Sequence, residues 1–135
     1  MRRVVERFRE LQDPIQGGLV FREHLDLEPI GHHGASRMPL SLEFRVIVLD
    51  GEPILSFPYW DEGDYHPDIQ PPLAEFADLF RSIRSRFFTA DLALKQDGQW
   101  VVVELGDAQV AGLPDNADPA ALYRTLAKAF VFCAQ

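Results

Sequence analysis

Runs of β-prone, largely apolar residues flank two Asp-Gly pairs along the chain. The first run covers 44–57 around Asp50-Gly51, and the second covers 92–105 around Asp97-Gly98. An Asp-Gly pair between such runs is typical of a two-residue type I′ turn, whose central residues both need a positive φ. The pattern therefore predicts two β-hairpins.

Apolar residues at helical spacing predict three helices. The first covers 2–12, and the last begins with Asp118 as N-cap and Pro119 in its first turn. The middle helix opens at Pro71-Pro72 and carries an apolar face made of Leu73, Phe76, Ala77, Phe80, Ile83 and Phe87. Its last turns carry three arginines that complement the helix dipole, namely Arg81, Arg84 and Arg86.

Three further segments complete the order of elements. A short strand is predicted over 19–23, a loop over 29–39, and a covering loop rich in aromatics, acids and prolines over 59–72. Helices separated by antiparallel hairpins, without βαβ alternation, indicate an α+β fold. We expect a single domain over 1–135, with an antiparallel sheet of hairpins and helices packed on one face.

Composition narrows the classes of function. The chain has 135 residues, of which 47% are hydrophobic, so a folded core is expected. Its 13 basic and 21 acidic residues give a net charge of −8, which argues against nucleic acid as a partner. The single cysteine, Cys133, and the lack of an apolar run of roughly 18 residues favour a cytoplasmic protein with no membrane partner.

The second hairpin brings two acids together. If Asp97-Gly98 is a two-residue turn, Asp91 on one strand faces Glu104 on the other. Like charges at facing positions are destabilising unless a divalent cation bridges them. Asp107 follows closely and either adds a third oxygen ligand or forms a turn. The alternative for the pair is that both acids lie at an open strand end, splayed into water.

The first hairpin carries a second candidate site. Glu43 and Arg45 lie on one face of the strand by its period of two. A guanidinium oriented by an acid suits a phosphate or an acyl oxygen. The alternative is a surface ion pair.

Taken together, these segments resemble the C-terminal half of the ATP-grasp fold, in its RimK-like and phage-associated branches. The resemblance covers 19–130 and rests on four stretches, namely 20–23 (VFRE), 43–46 (EFRV), 91–93 (DLA) and 99–107 (QWVVVELGD). It implies that Val20, Phe21, Arg22 and Glu23 form the hinge that meets adenine. It also implies that Asp91 and Glu104 hold Mg²⁺ against the nucleotide phosphates, with Glu43 and Arg45 near the transferring phosphate.

The resemblance has two departures. Gly106 stands where the family usually has Asn, so Asp107 or Gln109 would have to substitute as a ligand. The family's phosphate-binding lysines, its N-terminal substrate domain and the first half of the grasp have no counterpart, so the chain matches a partial ATP-grasp domain.

The activity implied by the resemblance is that of an ATP- and Mg²⁺-dependent carboxylate–amine ligase, or a portion of one, acting through an acyl phosphate. The alternative is a noncatalytic protein-binding module derived from an ATP-grasp half. The expected partners are a nucleotide and either a protein that supplies the missing half or a second copy of the chain.

Overall fold

A computed structural model of the chain describes Glu6, residues 20–113, residue 115 and residues 117–132, the side chains of 130–132 excepted. The helix predicted over 2–12 and Cys133 lie outside the described residues, apart from Glu6, which is helical. No helix among the described residues is both long and apolar enough to cross a membrane.

The described residues form two antiparallel sheets and two α-helices, as the predicted α+β class requires. A small sheet pairs β1 (Pro29–His32) with β2 (Pro39–Ser41). The larger sheet has the order β4-β3-β5-β6 and contains β3 (Glu43–Leu49), β4 (Glu52–Pro58), β5 (Phe87–Leu94) and β6 (Trp100–Asp107). A 3₁₀ turn (Leu73–Phe76) leads into α1 (Ala77–Ser82), and α2 covers Pro119–Phe132.

The first hairpin forms as predicted. Its turn residues Asp50 and Gly51 have φ values of 51° and 82°, so both adopt the positive φ that a type I′ turn requires. The guanidinium of Arg86 donates to both carboxylate oxygens of Asp50, at 2.6 and 2.9 Å. The turn is thereby fixed to the segment that leads into β5.

The second hairpin forms with a different turn. Gly98 has a φ of 85°, but Asp97 is not among the described residues with positive φ. The Lys95 amide donates to the Gln99 carbonyl at 2.9 Å, so the loop has three residues rather than two. The predicted register is therefore wrong near the turn, where Leu94 faces Trp100 instead of Val101.

A second irregularity corrects the register further along the same hairpin. The pairing shifts between Asp91 and Leu92, because Val103 is an extra residue in β6. Beyond this bulge Asp91 faces Glu104, as the sequence predicts. The two one-residue shifts cancel, so the predicted pair is confirmed although the predicted turn is not.

The middle helix is shorter than predicted. It ends at Ser82, Ile83 has an extended backbone, and Phe87 begins β5. Arg84 and Arg86 therefore lie outside the helix, and they do not complement its dipole. The reason is tertiary, because residues 87–93 gain a full set of pairings with β3 that helical periodicity does not reveal.

The hydrophobic core lies between the larger sheet and α1. Alternate residues of the two central strands point toward the helix, and Phe80 of α1 packs among them without exposure. The buried cluster consists of Val46, Val48, Phe80, Phe88, Ala90 and Leu92. Since β3 and β5 are covered on both faces, the opposite face also buries polar side chains, and these form the candidate site.

Two segments before β3 differ from the prediction. The segment 29–39, predicted as a loop, contains β1, and β2 begins at its last residue, Pro39. Proline and glycine are uncommon inside strands, which is why the sequence pattern indicated a loop. The strand predicted over 19–23 is absent from 20–23, where the backbone is irregular and Val20 and Phe21 are 84% and 61% exposed. At the other end of the chain, the Asp118 carboxylate caps α2 by accepting from the Ala120 amide at 2.9 Å, as predicted.

Candidate functional site

A row of three charged side chains crosses the larger sheet on the face away from α1. Arg45 of β3 is the register partner of Asp91 in β5, and Asp91 is the partner of Glu104 in β6. Register partners project from the same face, so the three side chains are neighbours. The sequence predicts only the second pairing, because nothing local to either hairpin shows that β3 and β5 are adjacent.

Arg45 and Asp91 form a buried, bidentate ion pair. The Arg45 Nε and Nη2 atoms donate to Oδ1 and Oδ2 of Asp91 at 2.9 and 2.8 Å. Only 16% of the Arg45 side chain and 2% of the Asp91 side chain are exposed. The hydrogen bonds to Asp91 raise the pKa of Arg45 above its usual value. The prediction that Glu43 orients the Arg45 guanidinium is therefore wrong, because Asp91 orients it. The alternative of a surface ion pair between Glu43 and Arg45 is wrong as well, because Arg45 pairs with Asp91 and both Glu43 and Arg45 are largely buried.

Arg45 is held from two further sides. Its Nη1 donates to the Gly112 carbonyl at 3.1 Å. The ring of Tyr59 lies 4.8 Å from the guanidinium carbon, a distance at which a cation and an aromatic face attract. The guanidinium is thus fixed in position before any ligand arrives.

Glu43 is buried beside this row and has no charged hydrogen-bond partner among the described residues. It is 9% exposed, and its Oε2 accepts a hydrogen bond from the Ser41 hydroxyl at 3.1 Å. Burial, reinforced by the charge of Asp91, raises the pKa of Glu43 to about 7, against the opposing influence of Ser41 and Arg45. Near neutral pH this carboxyl can both give and take a proton.

The raised pKa of Glu43 predicts a pH-dependent stability. The folded state holds a proton that the unfolded chain releases above about pH 4.5, so this contribution is complete below that pH and is lost as pH rises through about 7. We expect the Glu43→Gln variant to lack this pH-dependent loss of stability. The difference in free energy of unfolding between the variant and the native chain should therefore shift in the variant's favour by about 2 kcal/mol from pH 4 to pH 8. Urea unfolding of both proteins across this range measures the difference, and parallel pH profiles would contradict the assignment.

A cavity of about 320 Å³ opens beside Arg45. Its walls come from the end of the β1–β2 hairpin, the loop that follows β4 and the segment that follows β6, and they include Tyr59, Trp60 and Glu62. The aromatic and acidic composition of 59–72 predicts a covering loop, but it does not show which residues face the cavity. The acids there are exposed, and Glu62 also accepts a hydrogen bond from the Gly34 amide at 2.7 Å.

The structure brings together two of the three acids predicted to hold a metal. Asp91 faces Glu104, whereas Asp107 lies three residues beyond Glu104 in the same strand and projects from the opposite face. Asp107 Oδ1 accepts a hydrogen bond from the Gln109 amide at 2.9 Å. This contact is typical of an aspartate that forms a turn, which is the alternative considered for Asp107. In the described part of the chain, no group of three or more His, Cys, Asp or Glu side chains is placed to hold a metal ion.

The facing carboxylates have chemistry that suits Mg²⁺. This ion takes hard oxygen ligands and is usually bound through one or two carboxylates and substrate phosphates. Arg45 occupies one lone pair on each oxygen of Asp91, and a second lone pair remains on each. The chemistry of Asp91 and Glu104 therefore fits a two-carboxylate site for Mg²⁺.

Gly106 leaves room for a neighbouring side chain on the same face. A Cβ at this position would lie 2.7 Å from the hydroxyl oxygen of Thr89, its register partner in β5. Thr89 is 3% exposed and has a β-branched, stiff side chain. The space that an asparagine at position 106 needs is thus filled by Thr89, so a third ligand at 106 is excluded in this arrangement.

The segment predicted to meet adenine runs past the outer edge of β6. The Arg22 guanidinium donates from Nη1 to the Val103 carbonyl at 2.6 Å, and Val103 is the bulge residue. Val20, Phe21, Arg22 and Glu23 are all exposed. Their role in binding adenine stays a prediction.

Comparison with known proteins gives a family match. The model of a family described as "ATP-grasp domain, R2K clade family 3" matches residues 1–126. No curated protein and no solved structure gives a significant match.

Proposed function

Since the chain belongs to the ATP-grasp superfamily, as a member of R2K clade family 3, we propose that it acts as an ATP- and Mg²⁺-dependent carboxylate–amine ligase, or as a portion of one. The observation that carries the proposal is the row of Arg45, Asp91 and Glu104 across three strands, beside an open cavity. It combines a cation oriented in advance with two hard oxygen ligands, which is what transfer of a phosphoryl group to a carboxylate needs.

In the proposed reaction, a carboxylate oxygen of the substrate attacks the γ-phosphorus of ATP. The bond from that phosphorus to the bridging oxygen breaks, ADP leaves, and an acyl phosphate forms. An amine then attacks the acyl carbon, the bond from that carbon to the phosphate oxygen breaks, and inorganic phosphate leaves. The amine nitrogen gives up one proton in this second step.

Each charged residue has a part in this proposal. Arg45 binds the substrate carboxylate and then stabilises the charge that spreads over the transferring phosphoryl oxygens. Asp91 orients Arg45 through the two hydrogen bonds described above. Glu43 accepts the proton of the amine, since its pKa of about 7 makes it an effective base near neutral pH. Asp91 and Glu104 would hold Mg²⁺, which would neutralise charge on the phosphates.

Nucleotide binding by a Glu104→Gln variant tests the proposal. Glu104 is exposed and makes no described ion pair, so this change removes a ligand charge without disturbing the core. We expect ATP to bind only with Mg²⁺, and the variant to bind about tenfold more weakly. Isothermal titration calorimetry with and without Mg²⁺ measures both effects.

The matched control is Glu75→Gln, an exposed acid of the 3₁₀ turn outside this face of the sheet, which is expected to bind like the native chain. An ATP affinity that changes neither on removal of Mg²⁺ nor in the Glu104→Gln variant would overturn the metal assignment. An absence of binding at millimolar ATP would overturn the ligase proposal for this chain.

A noncatalytic protein-binding module is the second candidate. The observation that favours it is the ion pair itself, because both oxygens of Asp91 already bind a cationic side chain and only 2% of Asp91 is exposed. In such a module, Arg45 would neutralise the buried Asp91 carboxylate in place of a metal ion. The sheet would then be stable although the protein does not bind a nucleotide. The same titration separates the two candidates.

A further inference from the structure

The cavity beside Arg45 has the size of a small-molecule site. Its volume of about 320 Å³ falls at the lower end of the range for ligand pockets. Three charged side chains line it, namely the cation Arg45 and the two acids Asp61 and Glu62. A ligand that fills it therefore meets a cation and an anion within one small volume.

Arg45 offers the cavity two unused hydrogen-bond donors. A guanidinium carries five N–H groups, and the described contacts of Arg45 use one on Nε, one on Nη1 and one on Nη2. One N–H group therefore remains on each terminal nitrogen. Since the Tyr59 ring covers a face of the guanidinium, a ligand reaches these donors in the guanidinium plane, and a carboxylate oxygen is a suitable acceptor for them.

Glu62 offers a positioned acceptor. Its Oε2 accepts from the Gly34 amide at 2.7 Å, which ties the loop after β4 to the turn between β1 and β2. A carboxylate has about four lone-pair sites, and the described hydrogen bond to Glu62 uses one of them. The rings of Tyr59 and Trp60 pack edge to face, with 4.8 Å between their centroids, and they add aromatic surface that attracts cations.

Trp60 adds an unsatisfied donor at the same place. Its indole nitrogen is buried and has no hydrogen-bond partner among the described residues. A buried polar group without a partner is costly, and it marks a position where an additional acceptor would be stabilising. Trp60 also lines the cavity, so a ligand oxygen there would be a candidate acceptor for this donor.

We propose that this cavity binds the carboxylate substrate of the ligase, and that the substrate is a small amino acid. Its carboxylate lies on Arg45, where it is activated, and its ammonium group lies on Glu62. The identification of the ligand as the substrate rests on the proposed function. The binding of a small zwitterion follows from the cavity alone.

The test is a titration without nucleotide that compares three ligands of similar size. Alanine carries both charges, propionate lacks the ammonium group, and ethylamine lacks the carboxylate. We expect alanine to bind the native chain about tenfold more tightly than either of the others, measured by ligand-observed NMR.

A Glu62→Gln variant tests the ammonium end. The glutamine keeps an acceptor for the Gly34 amide but loses the charge, so alanine binding should weaken about tenfold while propionate binding should not weaken. Asp68→Asn, in an exposed acid of the same loop outside the cavity, should leave both unchanged. Circular dichroism confirms that each variant is folded.

Equal affinities for alanine and propionate, no effect of Glu62→Gln, or no binding of alanine at millimolar concentration would each overturn the inference. The result is independent of the ATP titration. Binding of alanine without binding of ATP would overturn the ligase proposal and support the zwitterion site. Binding of ATP without binding of alanine would overturn the zwitterion site and leave the ligase proposal in place.

Discussion

Replacing Arg45 with methionine is expected to lower the free energy of unfolding by about 3–5 kcal/mol. The change keeps most of the side-chain volume but leaves the Asp91 carboxylate buried, at 2% exposure, without its counter-ion. A buried charge that loses its partner keeps the full cost of desolvation, which accounts for the size of the effect. Urea unfolding at neutral pH measures it.

Two further proteins make this experiment specific to the buried pair. Arg81→Met breaks the exposed ion pairs with Glu52 and Asp78, and it should cost much less than Arg45→Met because solvent screens exposed charges. Adding Asp91→Leu to Arg45→Met removes the stranded charge and should restore part of the loss. A loss in Arg45→Met no larger than that in Arg81→Met would contradict the buried ion pair.

Phe80→Ala is expected to cost about 3–5 kcal/mol as well, through a different mechanism. Phe80 is fully buried in α1 and packs against Phe76 and Phe88, at ring-centroid distances of 6.1 and 6.2 Å. Alanine leaves a cavity beneath the sheet that the two-turn helix cannot fill. The midpoint of urea unfolding should fall accordingly.

The matched control lies one residue away in the same helix. Leu79 is 42% exposed, so Leu79→Ala loses a side chain of similar type from the solvent side of α1. We expect a cost of about 1 kcal/mol or less. Equal losses at positions 79 and 80 would show that α1 does not present Phe80 to the core.

Local patterns in the sequence are enough to predict the two hairpins and the N-cap of α2. Asp50-Gly51 forms the turn that its chemistry dictates, and Asp118 caps the helix that follows it. The pairing of Asp91 with Glu104 is predicted correctly, although the loop between them has one residue more than assumed. A bulge at Val103 compensates, and neither shift has a signal in residue types.

The remaining features depend on contacts between distant parts of the chain. Arg45 reaches Asp91 only because β3 and β5 are neighbours, across 46 residues of sequence. The same pairing turns Phe87 from an expected helical position into the start of a strand. The cavity wall at Glu62 likewise depends on Gly34, which lies 28 residues earlier.

The contact between Gly106 and Thr89 also restricts how this face of the sheet can change during evolution. With 2.7 Å between a Cβ at 106 and the Thr89 hydroxyl, any side chain at 106 collides with a stiff, buried neighbour. The two positions are therefore coupled, and the order of substitutions matters. A lineage that places an amide ligand at 106 must first reduce Thr89 to a smaller residue, whereas the reverse order passes through a destabilised intermediate.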